Sequence, residues 1–211
     1  MEWTIAVKYN PKIHHRRSIR LKRYDYSQAG AYFVTLCAQN RECLFGEIVA
    51  QEIRLNDAGK IVAAEWLKTA KIRDEIELDE WVVMPNHFHG ILVIADSGTI
   101  VGCRGDRPVA STGPQPRSIG AVMAGFKSAV TKRINAIRNT PGTKLWQRNY
   151  WEHIVRNESE LNRIREYITN NPANWQTDKL FNPSTLYGRP AGRPNEIRES
   201  SSTYTPETWM V

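Results

Sequence analysis

Apolar residues in the first half of the chain fall into short alternating or continuous runs, interrupted by one stretch of helical spacing. Tyr32-Phe33-Val34-Thr35-Leu36, after Gly30, is aromatic and β-branched and predicts a strand. Asn40-Arg41-Glu42 reads as a turn, and Leu44 to Val49 as a short partner strand. Asn56-Asp57 offers a cap for a helix to about Lys71, with Ile61, Ala64, Leu67 and Trp66 at helical spacing. Glu75 to Met84 alternates, with Ile76, Leu78, Val82 and Met84 on one face. His87 to Ile94 follows the Pro85-Asn86 turn, so the two segments predict an antiparallel hairpin.

The second half opens with Asp96 to Gln115, rich in Gly, Pro, Ser and Thr, which reads as a surface loop. Ser118 caps a helix to about Arg138, its core stripe being Ile119, Val122, Met123, Phe126, Val130, Ile134 and Ile137. Trp151 to Val155 predicts the last strand. Asn157-x-x-Glu160 then resembles a capping box, opening a helix that turns Leu161, Ile164 and Ile168 inward and ends at Pro172.

The order strand, helix, strand, strand, helix, strand predicts an α+β domain. Its core is a ferredoxin-like split βαβ antiparallel sheet, an RRM-like palm, with one further helix appended. The expected organisation is a basic arm over 1–24, a domain over 25–172 with a flexible loop at 96–117, and a C-terminal tail over 173–211.

Charge changes the picture more than composition does. The formal charge of +7 on 211 residues is segregated. Arg107 to Trp151 holds no Asp or Glu but eight cations, and Arg16, Arg17, Arg20, Lys22 and Arg23 form a second cluster. Such segregation fits a polyphosphate partner. Lys127, Arg133 and Arg148 are the cations expected to touch phosphates, and Tyr150 is a candidate for stacking on an unpaired base. Trp146 and Trp151 fit stacking or the core equally. The three cysteines lack CxxC spacing and read as reduced thiols. With no bilayer-length apolar run and no hydrophobic signal region, a cytoplasmic protein is expected.

The candidate chemistry lies in Pro85-Asn86-His87-Phe88-His89-Gly90. Alternation along a strand puts His87 and His89 side by side on one face while Phe88 turns to the core. A rigid pair of imidazoles suits a divalent metal ion. On the last helix, Tyr167 and Asn171 stand one turn apart. If their face meets the histidines, Asn171 joins His87 and His89 as a metal ligand and Tyr167 becomes a nucleophile; alternatively Asn171 only caps the helix before Pro172. Nitrogen and oxygen ligands without thiolate suit Mg²⁺ or Mn²⁺.

These residues carry a resemblance over roughly residues 20 to 175. Val-Val-Met-Pro-Asn-His-Phe-His-Gly resembles the His-hydrophobe-His strand of single-tyrosine HUH transposases. Gly30 to Thr35 fits that family's opening. Trp146-Gln147-x-x-Tyr150-Trp151-Glu152-His153-x-x-Arg156 followed by Tyr167-Ile168-x-x-Asn171-Pro172 resembles its REP-associated tyrosine transposase branch. The resemblance implies Tyr167 as the nucleophile forming a 5′-phosphotyrosyl link, His87 and His89 as metal ligands, and Asn171 as the third. It implies single-stranded or hairpin DNA as substrate, with palindromic repeats. Monomer and homodimer stay open, and the alternative function is a non-catalytic DNA- or RNA-binding module on the same fold.

Overall fold

The computed structural model describes residues 24–95 and 114–181. The expected basic arm, most of the 96–117 loop, Cys103 and the chain beyond 181 lie outside the described residues. In chain order the elements are β1 (Gly30–Cys37), β2 (Gly46–Val49), β3 (Glu52–Leu55), α1 (Asp57–Lys71), β4 (Ile76–Val83), β5 (His87–Ile94), α2 (Ile119–Arg138), β6 (Trp151–Val155) and α3 (Glu158–Asn170). The main sheet has the order β4-β5-β1-β6 with every pair antiparallel, the interleaved arrangement of a ferredoxin-like α+β fold. No helix among the described residues is long and apolar enough to cross a membrane.

Helices cover both faces of this sheet. Tyr32, Val34 and Leu36 of β1 and Phe88 and Leu92 of β5 pack against α1 and α2 through Ile61, Val62, Trp66, Val122, Met123 and Phe126. The intervening residues Phe33 and Ile91 face the other way and pack with Trp151 beneath Ile164 and Ile168 of α3. The caps are those expected: Asn56, Ser118 and Asn157 each accept a backbone N–H with a side-chain oxygen. Asn139 closes α2 in the left-handed conformation.

Four local expectations are corrected. Leu44–Val49 does not pair with β1. Its β2 portion pairs with β3, a strand hidden because the tight turn between them uses Ala50-Gln51 at positive φ instead of Asn-Gly. The buried stripe of α1 runs through Ala58, Ile61, Val62, Glu65, Trp66 and Thr69, while Leu67 is 48% exposed. Glu65 belongs in it because Arg133 of α2 reaches its carboxylate at 2.6 Å. Ile137, at 67% exposure, is outside the α2 core. Finally, a bulge between Leu78 and Trp81 inverts the alternation of β4, so Val82 packs on the α3 side and Trp81 and Val83 on the other.

The chain also stays on the domain after Pro172. A 3-10 turn at Trp175–Thr177 follows, and Trp175 and Leu180 are buried.

Two features generate expectations. A Cβ at Gly90 would lie 2.8 Å from the Trp66 ring and 2.9 Å from the Phe88 ring, both rigid core aromatics. Gly90→Ala is therefore expected to destabilise the fold by about 1–3 kcal/mol, read as a lower urea midpoint.

The bulge also places Asp79 where Arg165 of α3 grips it in bidentate fashion, Nε to Oδ1 at 2.9 Å and Nη2 to Oδ2 at 2.6 Å. Those hydrogen bonds hold the Asp79 carboxyl below its ordinary range. A depressed carboxyl adds stability above its unfolded pKa of about 4 and loses it as pH falls through the folded value. With Arg165 36% exposed, solvent screening limits the pair. Asp79→Asn should loosen α3 by about 0.5–1 kcal/mol near neutral pH, with the gap to the native chain closing below about pH 4. Hydrogen exchange of the α3 amides reads both.

Candidate active site

The register of β1 against β5 opposes Cys37 to His87 and Thr35 to His89. Both imidazoles therefore emerge on the α3 side, with ring centroids 4.5 Å apart, and both are fully buried. Each Nδ1 has a partner in the protein: Asn86 Oδ1 at 2.8 Å from His87, and Thr35 Oγ1 at 2.8 Å from His89. These contacts turn both Nε2 atoms toward the space beneath α3. His87 Nε2 is buried with no hydrogen-bond partner among the described residues.

Burial disfavours charge on both rings. It pulls the His87 pKa down to about 3, opposed by the neighbouring Asn171 side chain, and it holds His89 well below the ordinary range with His87 adding to the effect. Both are neutral imidazoles at physiological pH, the form that binds metal.

α3 delivers the phenol. Asn157 caps the helix, and the Glu160 carboxylate accepts the Arg156 N–H while pairing with His153 of β6 at 2.8 Å. His153 is thus a clasp between strand and helix, lying flat on Trp151. With Ile164 and Ile168 seated on the sheet, Tyr167 stands half-buried over His89, its hydroxyl 3.3 Å from Nε2. Its ring meets Phe33 and His89 edge-on.

Asn171 is the C-cap residue, in right-handed conformation, so the chain turns on without a left-handed stop. Its Nδ2 donates to Asp178 Oδ2 at 3.0 Å, and its Oδ1 is buried with no partner among the described residues. Capping and ligation are compatible here, since the backbone performs one and the free oxygen is available for the other.

Asp178 was not foreseen. Ligand atoms of His87, His89 and Asp178 all lie within 4.8 Å of one another, a group that could hold a metal ion. Of the buried side-chain atoms without a partner among the described residues, His87 Nε2 and Asn171 Oδ1 belong to this site and are what such an ion would satisfy. The available signal was Trp175 and Leu180, apolar residues that return the polar segment around Asp178 to the domain.

The expected DNA-contacting residues are not gathered here, and they differ in freedom. Lys127 Nζ donates to the carbonyls of Gln147 and Asn149, at 2.7 and 3.3 Å, and burial pulls its pKa down to about 8. Arg133 is engaged with Glu65. Arg148 is exposed on the loop that Lys127 holds, and Tyr150 is half-buried against the α1/α2 core. Gln147 N donates to Cys37 O, so this loop abuts the sheet end that bears His87. Trp146 and Trp151 are core residues. Cys37 and Cys43 form no disulfide among the described residues, and burial pushes the Cys37 thiol up to about 11.

No protein-family model matches the chain. Its fold is similar to that of a solved structure described as the REP-associated tyrosine transposase bound to a REP hairpin. The alignment covers 90% of this chain and 100% of that one, with a TM-score of 0.50 and 18% identity. In sequence it is 43% identical over 183 residues to an uncharacterized protein of Haemophilus influenzae, covering 84% of this chain and 99% of the relative. Identity at that level along nearly the whole relative is common descent, and the chain belongs to the family of that Haemophilus influenzae protein.

Proposed function

We propose that this chain is a transposase-type enzyme that cleaves and rejoins single-stranded DNA through Tyr167. The observation that carries the reading is the Tyr167 hydroxyl held 3.3 Å from His89 Nε2, beside the buried lone pair of His87. The solved structure of similar fold holds a REP hairpin, which makes hairpin or palindromic repeat DNA the first substrate to test here.

In the proposed reaction the Tyr167 oxygen attacks a backbone phosphorus and the bond to the 3′-oxygen breaks. The phenol loses its proton and the departing 3′-oxygen gains one, leaving a 5′-phosphotyrosyl link and a free 3′-hydroxyl. Attack by another 3′-hydroxyl on the same phosphorus frees the tyrosine and joins the strands. One phosphodiester-type bond is exchanged for another at each step, so no external energy source is required.

His87, His89, Asn171 and Asp178 would hold a Mg²⁺ or Mn²⁺ ion, since nitrogen and oxygen donors without thiolate suit both. Such an ion, when bound, supplies positive charge that polarises the scissile phosphate and stabilises the charge on its oxygens. The protein's own part is positional. Thr35 and Asn86 hold the imidazoles, Phe33 and His89 support the Tyr167 ring, and burial keeps competing protons off the ligands.

Incubation with a hairpin oligonucleotide and Mn²⁺ should give a protein–DNA adduct that survives a denaturing gel. Tyr167→Phe should abolish it and His89→Ala should reduce it on the order of 100-fold or more, several kcal/mol of transition-state stabilisation going with the ion. Tight binding with no adduct at any Mn²⁺ concentration would instead identify a non-catalytic binding module.

Arg148 is proposed as a phosphate contact because it is exposed beside the His87 end of the sheet. Arg148→Ala should weaken oligonucleotide binding about equally for all sequences and lower the slope of log K against log salt by about 1. An unchanged slope would remove it from the interface.

A further inference from the structure

We infer that Asn86 is the positioning residue of the candidate metal centre: one buried amide sets which nitrogen of His87 faces the ion and fastens the segment that delivers Asp178. This rests on the proposed ion at His87 and His89.

Asn86 is fully buried. Its Nδ2 lies 2.8 Å from Leu180 O and 3.2 Å from Arg41 O. Both partners are carbonyls and can only accept, so the nitrogen end of the amide must point at them. The oxygen end then faces His87 Nδ1 at 2.8 Å. Oδ1 cannot donate, so Nδ1 must carry the hydrogen, and the lone pair of the neutral ring is left on Nε2. That is the buried atom without a partner on the site side. One amide orientation therefore determines the face His87 presents.

The second half of the role concerns reach. Leu180 is two residues past Asp178, and its N–H donates to Asp178 Oδ1. Asn86 takes the carbonyl of the same residue. Leu180 is thus gripped at both backbone groups, one by the candidate ligand and one by the residue before His87. The strand that carries the imidazoles and the segment that carries the carboxylate are joined through this amide.

The ordinary role of asparagine in a tight turn is to bond its own backbone about two residues on. Here the amide nitrogen reaches Arg41 and Leu180, far away in sequence, while the turn is fixed independently by Ala38 N to Asn86 O at 2.8 Å and Phe45 N to Pro85 O at 3.0 Å. The turn does not need this side chain; the site does. Outer partners of metal-bound histidines are worth about 10–100-fold in metal affinity.

The test uses the full chain, titrated with Mn²⁺ and followed by its electron paramagnetic resonance signal, with ¹⁵N shifts of the His87 ring and exchange of the Leu180 amide read in metal-free protein. The native chain should bind Mn²⁺ and show the Nδ1–H form of His87. Asn86→Ala should bind about 10–100-fold more weakly, lose the fixed tautomer and exchange faster at Leu180. Asn86→Asp keeps the acceptor and loses the donor, so it should retain the tautomer yet exchange faster at Leu180; it serves alone should Asn86→Ala not fold. Native-like affinity, tautomer and exchange in the folded variants would overturn the role of Asn86 and leave the metal centre standing. Absence of Mn²⁺ binding by the native chain would overturn both.

Discussion

The pairing of β1 with β5 is the constraint on which the candidate site depends. A strand alternates its side chains with a period of two, so a slip of one residue would carry His87 and His89 to the α1/α2 face and Phe88 to the α3 face. The register is pinned from the α1/α2 face. Phe88 fits between Trp66 and Phe126, and the missing Cβ of Gly90 leaves room for the Trp66 ring against the strand. The aromatic packing of one face thereby sets the chemistry of the other. This is why two imidazoles can be fully buried without being core-filling residues.

Burial at that site carries a cost that the rest of the fold absorbs. Neutral imidazoles and an amide oxygen are withdrawn from water beside a half-buried carboxylate, and two of the buried atoms find no partner among the described residues. Ordinary core design would place apolar residues there. The large α1/α2 core, with Trp66, Phe45, Phe88 and Met123 fully buried, supplies the compensating stability, while the smaller α3 cluster has five buried apolar members and borrows the Arg165–Asp79 ion pair and the His153–Glu160 hydrogen bond.

Much of the architecture was legible in the sequence because periodicity is a strong signal where only one face is apolar. β1, β5, β6, α2 and α3 follow from spacing and caps, and the histidine pair follows from strand parity alone. The misreadings have local causes. β3 was hidden by a turn without glycine or asparagine, the α1 stripe by a glutamate whose partner lies 68 positions away, and the β4 alternation by one extra residue. Asp178 was missed for a different reason: no spacing rule links a carboxylate to histidines about ninety positions earlier, and the return of Trp175 and Leu180 to the domain brings it there. Lys127 and Arg133 read as free cations because sequence shows charge but not the carbonyls and the carboxylate that occupy them.

The helix bearing Tyr167 is anchored before its first turn through His153 and Glu160, along its length by Arg165 on Asp79, and past its last turn through Asn171, Asp178 and the Leu180 peptide. An arm tied at both ends and at its middle holds the Tyr167 hydroxyl over His89. The phenol is in effect an anvil, and under the proposed cut-and-rejoin reaction the successive nucleic-acid ends would be carried to it in turn. On that proposal the exchange of ends falls to the DNA or to other parts of the protein, with the helix as the fixed element.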